Sequence, residues 1–285
     1  MNDADPLAER NARAHQYSQE GRGDLAIPLF EEVLADRVRV LGTDHPDTLA
    51  SRNNLAGAYW SAGRVGEAIP LFEEVLAERV RVLGPDHPDT LASRNNLAYA
   101  YQAAGRLDEA IPLFEEVLAD RVRVLGPDHP HTLTSRNNLA YAYYAAGRLG
   151  EAIPLYEQVL ADSVRVLGPD HPHTLTSRNN LAYAYQAAGR LGEAIALYEQ
   201  VLADCVRVLG ADHPHALASR GSLAGAYESA GRLDEAITLY EGVLADTRRV
   251  LGADHPSTLA SRRNLEAARR ARESGSASAP GVAEE

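Results

Sequence analysis

The chain has 285 residues, of which 45% are hydrophobic and 24% are charged, a composition typical of globular proteins. All 28 basic residues are arginine, and the 40 acidic residues leave a net charge of −12, which argues against nucleic acid as a partner because phosphate binding depends on cations. The single cysteine excludes an intramolecular disulfide and a thiolate metal site, and no apolar run is long enough to cross a membrane, so we expect a cytoplasmic protein.

A repeat of fixed length organises the chain. The tripeptide Asp-His-Pro recurs with its histidine at His45, His87, His129, His171, His213 and His255, and each step is 42 residues. Such a period predicts a stack of similar supersecondary units. We predict a degenerate first repeat over 5–46, five clear repeats over 47–88, 89–130, 131–172, 173–214 and 215–256, and a capping helix over 257–272.

Each repeat is predicted to begin with a helix, as repeat two shows. Asp44 is placed to cap this first helix, since a carboxylate can accept from the free N–H groups of the first turn, and Pro46 needs no amide donor there. One face is apolar, with Leu49, Leu55, Ala56, Tyr59 and Ala62, and the adjoining stripe is mostly polar, with Asn53, Asn54, Gly57, Trp60 and Ser61. We therefore expect one face to pack and the other to remain available.

A second helix is predicted over about residues 67–83. Its apolar positions follow the i, i+3, i+4, i+7 spacing and comprise Ala68, Leu71, Phe72, Val75, Leu76, Val80 and Leu83. Pro70 is expected in the first turn, where the loss of one donor costs little. Because Gly63 ends the preceding helix, the two helices form an antiparallel hairpin that must stack on its neighbours. The tyrosines assigned to the core are Tyr59, Tyr101, Tyr143 and Tyr185.

Both ends of the array carry polar substitutions. Arg13 stands where the next repeat has Leu55, and near the C-terminus Glu266 and Arg269 replace a small residue and a tyrosine. Stacked repeats need such polar outer faces. Residues 274–285 are rich in serine, alanine and glycine and are predicted to be a disordered tail.

On these residues the repeat resembles the tetratricopeptide repeat (TPR). That repeat carries a leucine, a small residue and a tyrosine in its first helix and an alanine and an aromatic residue in its second, here Leu97, Ala98, Tyr101, Ala110 and Phe114. The 42-residue period is most similar to the longer variant of kinesin light chains and many bacterial multi-repeat proteins. The resemblance implies an all-α fold, a right-handed superhelical solenoid of six antiparallel helix pairs over 5–272, with the first helices lining a concave groove that takes extended peptides.

The polar stripe of the first helices supplies the candidate peptide-binding residues. Asparagine pairs repeat at Asn53, Asn54, Asn95, Asn96, Asn137, Asn138, Asn179 and Asn180, and aromatic or glutamine side chains occupy neighbouring positions at Trp60, Tyr99, Gln102, Tyr141, Tyr144, Tyr183 and Gln186. An asparagine amide can bridge a peptide backbone whatever its side chains are, and in the resembling family groove asparagines do so. Two interpretations stay open: the asparagines contact a ligand or a neighbouring hairpin, and the tyrosines anchor a ligand or pack.

Two other residue types also have two interpretations, and the single cysteine has one. The arginines at Arg52, Arg94, Arg136, Arg178, Arg220 and Arg262 could bind anions, or pair with nearby glutamates and tie hairpins together, which we favour. Histidine doublets such as His129 and His131 could bind a metal, but loops of adjacent repeats lie about 10 Å apart, so we expect a role at the helix start and neither metal nor cofactor. Cys205 is expected at a tolerant surface position, where other repeats have Arg79, Arg121 and Ser163.

These patterns predict a scaffold or adaptor that binds extended segments of other proteins. No nucleophile elbow, phosphate-binding loop, zinc signature or carboxylate pair stands outside the repeat, so we predict no enzymatic activity. The expected partners are proteins or peptides, with no nucleic acid and no membrane insertion, and we favour a monomer. The alternative is a regulatory protein that senses a peptide and changes conformation when it binds.

Overall fold

The computed structural model describes residues 6–277, and all regular structure in that range is helical. In chain order the thirteen helices are α1 (Pro6–Gln19), α2 (Gly23–Leu41), α3 (Pro46–Ser61), α4 (Val65–Leu83), α5 (Pro88–Ala103), α6 (Leu107–Leu125), α7 (Pro130–Ala145), α8 (Leu149–Leu167), α9 (Pro172–Ala187), α10 (Leu191–Leu209), α11 (Pro214–Ser229), α12 (Leu233–Leu251) and α13 (Pro256–Ala277). Two compact bodies divide the described chain, an N-terminal body with α1–α7, up to Ala146, and a C-terminal body with α8–α13, from Gly147. None of the described helices is both long and apolar enough to cross a membrane.

Within each body every helix packs against the next one along the chain. Small side chains separate the two helices of a repeat: Ala98 of α5 and Ala110 of α6 are fully buried. The core also continues from one repeat to the next, since one apolar cluster combines Ala14 of α1, Phe30 of α2 and Leu55 of α3. The prediction of an all-α stack of helix pairs, closed by a single last helix, is confirmed.

The first helices are capped by histidine and not by the predicted aspartate. In repeat two, His45 Nδ1 accepts from the backbone N–H of Asp47 at 3.2 Å, and His87 caps α5 in the same way. Asp44 is engaged elsewhere, because its carboxylate pairs with Arg81 at the end of α4 at 2.5 Å. That hydrogen bond holds the pKa of Asp44 below its usual value. The Asp-His-Pro tripeptide therefore has separate tasks: the aspartate ties the loop to a second helix, the histidine caps, and the proline begins the helix.

The first helices end as predicted, whereas the second helices begin earlier than predicted. Gly63 adopts a φ of +74°, its N–H donates to Trp60 O, and the next N–H donates to Tyr59 O, the pair of bonds that terminates a helix at a left-handed residue. Helix α4 then starts at Val65, so Pro70 is its sixth residue and lies in the second turn, not in the first. Its missing N–H thus removes one bond inside the helix.

Buried polar contacts join each second helix to the first helix of the next repeat. The Arg79 guanidinium of α4 donates to Asp89 O at 3.0 Å and to Ser93 Oγ at 2.8 Å, both on α5. Arg37 and Arg121 make the equivalent contacts in their repeats. In the C-terminal body this position carries the buried residues Ser163, Cys205 and Thr247. The prediction of a tolerant surface position for Cys205 is therefore wrong, because the position faces the next repeat and not the solvent.

Tyrosine side chains make a second set of links between repeats. Tyr101 is buried, its hydroxyl donates to Glu73 Oε1 of the preceding repeat at 2.6 Å, and the Arg106 guanidinium lies 4.3 Å from its ring centre. Burial and the Glu73 carboxylate raise the pKa of Tyr101 to about 12. The predicted core positions of Tyr101, Tyr143 and Tyr185 are confirmed, and Tyr59 is only half-buried.

The last helix extends beyond its predicted end. Helix α13 continues to Ala277, so residues 274–277 are helical although the sequence assigned them to a disordered tail. The rest of that tail, 278–285, lies outside the described residues. On α13, Arg269 takes the place of the repeat tyrosine and keeps its carboxylate contact, since its guanidinium donates to Glu241 at 2.7 Å.

We expect His87→Ala to lower the free energy of unfolding by about 1 kcal/mol, because a first-turn N–H loses its side-chain acceptor. Urea denaturation measures the loss, and hydrogen exchange of the Asp89 amide localises it. His87→Asn serves as the control that keeps an acceptor. Asp86→Asn should destabilise less than His87→Ala, and the reverse order would contradict the assignment of the cap.

The contacts of Arg79 predict that one substitution at the interface between repeats can be partly compensated by a second substitution opposite it. Arg79→Ser should destabilise the protein by roughly 1–3 kcal/mol, since two charge-assisted hydrogen bonds are lost at a buried interface. In the C-terminal body Ser163 takes the place of Arg79, and His173 takes the place of Asp89. The Ser163 Oγ atom lies 3.3 Å from His173 Nδ1. Adding Asp89→His should therefore restore part of the loss in a double-mutant cycle measured by urea denaturation. Purely additive effects would show that the two positions are not coupled.

His173 predicts a pH dependence of stability. Burial, with a smaller effect of His171, lowers the pKa of His173 in the folded chain. The unfolded chain then binds more protons, so the free energy of unfolding should fall as pH drops from about 7.5 to about 5.5. Urea denaturation across this range measures the fall, and His173→Asn should make it smaller. An unchanged slope in that variant would contradict the prediction.

Candidate functional site

A cleft of about 320 Å³ lies in the N-terminal body on the face of the first helices. Its walls come from α1, α3 and α5, and Phe30 and Phe72 of the second helices form its base. The lining includes five of the predicted groove residues, Asn53, Asn54, Trp60, Asn96 and Tyr99. The structure therefore brings together residues from two successive repeats that the sequence placed on one stripe.

The asparagines of the cleft contact one another and α1. Asn96 Nδ2 donates to Asn53 Oδ1 at 3.2 Å, from α5 to α3, and Asn54 Nδ2 lies 3.2 Å from His15 Nε2. These contacts support the interpretation that asparagines link neighbouring hairpins. Each amide has two donor hydrogens and two acceptor lone pairs, so one contact leaves hydrogen-bonding capacity for a ligand. Binding of a ligand by the asparagines stays a prediction.

The other predicted asparagines differ in exposure. Asn95 Oδ1 is buried and accepts no hydrogen bond from the described residues. Asn138 of α7 is buried, whereas Asn137 is half-buried. In the C-terminal body, Asn179 and Asn180 of α9 are half-buried.

The aromatic candidates divide into exposed and packed side chains. Trp60, Tyr141 and Tyr183 are 44%, 47% and 42% exposed. Tyr99 is half-buried with its ring edge-on to Phe114 at 5.3 Å, and burial raises its pKa. Packing therefore accounts for much of Tyr99.

Tyr183 is also partly packed, since its ring lies edge-on to Tyr198 at 5.5 Å and its hydroxyl lies 2.8 Å from Ser222 Oγ. Trp60 and Tyr141 keep exposed ring surface that a ligand could contact.

The remaining candidates already have neighbours within their own bodies. Tyr144 stacks with Tyr141 at a centroid distance of 6.2 Å. Gln186 donates to Ser229 Oγ at 2.9 Å and accepts from the Tyr198 hydroxyl at 3.2 Å, which joins α9, α10 and α11. Gln102 is the exception, because its buried Oε1 atom accepts no hydrogen bond from the described residues.

Several of the repeated arginines of the first helices pair with carboxylates, namely Arg52, Arg94, Arg178 and Arg220. Arg94 is largely buried, with Nη1 at 2.5 Å from Asp120 Oδ2 and Nε at 3.3 Å from Glu116 Oε2. Arg220 pairs with Asp246 at 2.6 Å. The expected carboxylate pairing is confirmed for these four arginines, but aspartate contributes as well as glutamate. Each pair ties together the two helices of one hairpin and not successive hairpins, so that part of the prediction is wrong.

The histidine doublets act at helix starts. His129 Nδ1 accepts from the His131 N–H at 3.2 Å, and the two rings lie 5.2 Å apart. Among the described residues, no group of three or more histidine, cysteine, aspartate or glutamate side chains is arranged to hold a metal ion.

Sequence reasoning missed part of the cleft and misjudged one face of the second helices. It did not single out His15, Ser18 or the opening at Gly57, although the repeats three to five carry tyrosine where repeat two has Gly57. Val80, predicted to pack, is 38% exposed. It belongs to a row of exposed apolar side chains near the ends of α2, α4 and α6, the valine row, which comprises Val40, Leu41, Val80, Val82, Val122, Val124 and Leu125.

Comparison with known proteins identifies similar repeats along most of the chain. One model of the tetratricopeptide repeat matches residues 7–77, 53–121 and 89–163, and a second matches 174–215 and 216–257. The crystal structure of a Podosopora anserina putative kinesin light chain with nearly identical TPR-like repeats is 41% identical to this chain. That match covers 73% of this chain and 99% of the other, with a TM-score of 0.66.

More distant structures share the fold. BtubC (BKLC) from P. vanneervenii is 18% identical, with a TM-score of 0.57 over 99% of this chain and 97% of that chain. A signal transduction ATPase with a tetratricopeptide repeat sensor from Pyrococcus horikoshii is 15% identical, with a TM-score of 0.69 over 93% of this chain and 39% of that chain. No curated protein sequence gives a significant match.

Proposed function

The chain belongs to the tetratricopeptide repeat family, and from this premise we propose that it is a non-catalytic scaffold that binds extended segments of other proteins along the face of its first helices. Proteins built from this repeat are generally protein-interaction scaffolds without catalytic activity. The proposal goes further, because it names the binding face and the form of the ligand.

The cleft on α1, α3 and α5 is the observation that carries the proposal. A surface used for recognition combines exposed aromatic side chains with polar groups that keep hydrogen-bonding capacity. Trp60 supplies the exposed ring, and Asn54 and Asn96 supply amides on the first helices of two successive repeats. The same residue types recur at Asn137 and Tyr141 on α7.

The spacing of the repeats suits an extended ligand. Packed helices lie about 10 Å apart, and an extended chain advances about 3.3 Å per residue, so one repeat corresponds to roughly three ligand residues. An asparagine from each of repeats two to five can then bond the ligand backbone at regular intervals. Such backbone recognition tolerates many sequences, and the aromatic positions, which differ between repeats, would supply selectivity.

We expect the triple variant Asn54→Ala, Trp60→Ala and Asn96→Ala to reduce partner capture by about tenfold or more, because an aromatic anchor and the amides that bond the ligand backbone are removed together. Affinity capture from native lysate with quantitative mass spectrometry measures the loss, and circular dichroism verifies folding. Synthetic peptides from each captured protein then show by direct titration whether a linear segment suffices.

The matched control is the double variant Val82→Ala and Val124→Ala in the valine row of the same body. It should capture partners as well as the unaltered protein does. Equal capture by the groove variant, with loss in the valine variant, would assign recognition to the second helices and reject the proposal.

A further inference from the structure

One residue opens the cleft of the N-terminal body. Gly57 of α3 stands between His15 of α1 and Tyr99 of α5, which occupy the same position in the adjacent repeats. A methyl group at Gly57 would meet no atom within 4 Å. A glycine inside a helix lowers helix stability by about 0.5–1 kcal/mol relative to alanine. Helix α3 is therefore less stable at the position where the missing side chain leaves this space.

The walls of the cleft are aromatic and its rim is polar. Trp60 and Tyr99 present rings, His15 lies edge-on to Phe30 at 5.0 Å, and Phe72 completes the base. The volume of about 320 Å³ is at the lower end of the range of ligand sites, which is enough for one large side chain. Asn54, Asn96, Ser18 and Ser61 add amide and hydroxyl oxygens.

The charge of the site distinguishes among possible occupants. No arginine, aspartate or glutamate lines the cleft, and the chain as a whole carries a net charge of −12. An acidic side chain would find no arginine there and would be repelled by the net negative charge of the protein. An aromatic side chain would fill the space but would leave the amide and hydroxyl oxygens without donors.

An arginine side chain satisfies all of these groups at once. Its planar guanidinium stacks on aromatic faces and donates hydrogen bonds in the plane of the fork, and the negative faces of Trp60 and Tyr99 favour a cation. We propose that the Gly57 cleft binds an arginine side chain of the extended peptide segment, an inference that rests on the proposed function. Repeats three to five have tyrosine at the position of Gly57. Repeat six has Gly225 there, but the Tyr240 hydroxyl would lie 3.5 Å from a methyl group at that position and Glu228 replaces Trp60, so this subsite belongs to repeat two.

The single tryptophan of the chain, Trp60, makes the test direct. We would titrate the full chain with blocked pentapeptides Ala-Ala-Xaa-Ala-Ala in which Xaa is arginine, citrulline, phenylalanine or glutamate. Tryptophan fluorescence and calorimetry report binding. The arginine peptide should bind about tenfold or more tightly than the citrulline peptide, in which a neutral urea group of similar shape replaces the guanidinium, and the glutamate peptide should not bind.

Two glycine variants of repeat two locate the subsite. Gly57→Tyr introduces the residue that repeat three carries and should weaken binding of the arginine peptide by about tenfold or more, because the ring occupies the cleft. Gly66→Asp likewise introduces the residue of repeat three, on an exposed turn of α4 outside the cleft, and should leave binding unchanged. Circular dichroism and urea denaturation verify that both variants fold.

The outcomes separate the inference from the proposed function. Tighter binding of the phenylalanine peptide than of the arginine peptide would overturn the choice of arginine and leave peptide binding in the groove intact. Binding of the arginine peptide that survives Gly57→Tyr would overturn the location. Absence of binding by every peptide would overturn the inference, and the lysate capture with groove and valine variants would still decide the proposed function.

Discussion

A hairpin of two amphipathic helices cannot bury its apolar surface alone, and the rest of this structure depends on that constraint. The cluster of Ala14, Phe30 and Leu55 spans two repeats, so neither repeat has a complete core without the other. Complete burial of a side chain such as Phe30 contributes about 1.5–3 kcal/mol, and here much of that contribution comes from contacts between repeats. Polar links follow the same boundaries. The Arg79 contacts to Asp89 O and Ser93, and the Tyr101 contact to Glu73, join one repeat to the next and specify how they align.

This arrangement leaves the exposed stripe of the first helices free to vary. Positions that face the core are nearly constant, whereas the position of Trp60 carries Gln102 and Tyr144 in the following repeats. The scaffold therefore separates the residues that maintain the stack from those that can select a ligand. Gly57 illustrates this separation, because the loss of a side chain on the stripe creates a cleft without disturbing the buried alanines behind it.

Much of the fold could be predicted because the apolar spacing repeats six times and glycine and proline mark the helix ends. Errors arose where several residues could perform one task or where burial depends on a facing residue. Asp44 and His45 can both accept from a first-turn N–H, and only the position of Arg81 shows which one is engaged elsewhere. Cys205 occupies a repeat position that carries polar residues elsewhere, which suggested exposure to solvent. It is buried because helix α11 of the next repeat packs over it. The cleft itself required the three-dimensional arrangement, since it consists of space between His15, Trp60 and Tyr99.

The changing residue at the interface between repeats also bears on how such a gene can evolve. Near-identical repeats recombine readily, and a deletion of 42 residues would remove one helix pair and leave the pattern of helices and turns in the remaining chain unchanged. It would nevertheless create new neighbours, since removal of residues 206–247 would place Cys205 opposite Ser257 in place of His215. The repeats therefore share one backbone structure but differ in the side chains that meet between repeats. We expect the recombinants that persist to be those in which the residues that meet at the new junction can pack or form hydrogen bonds with each other.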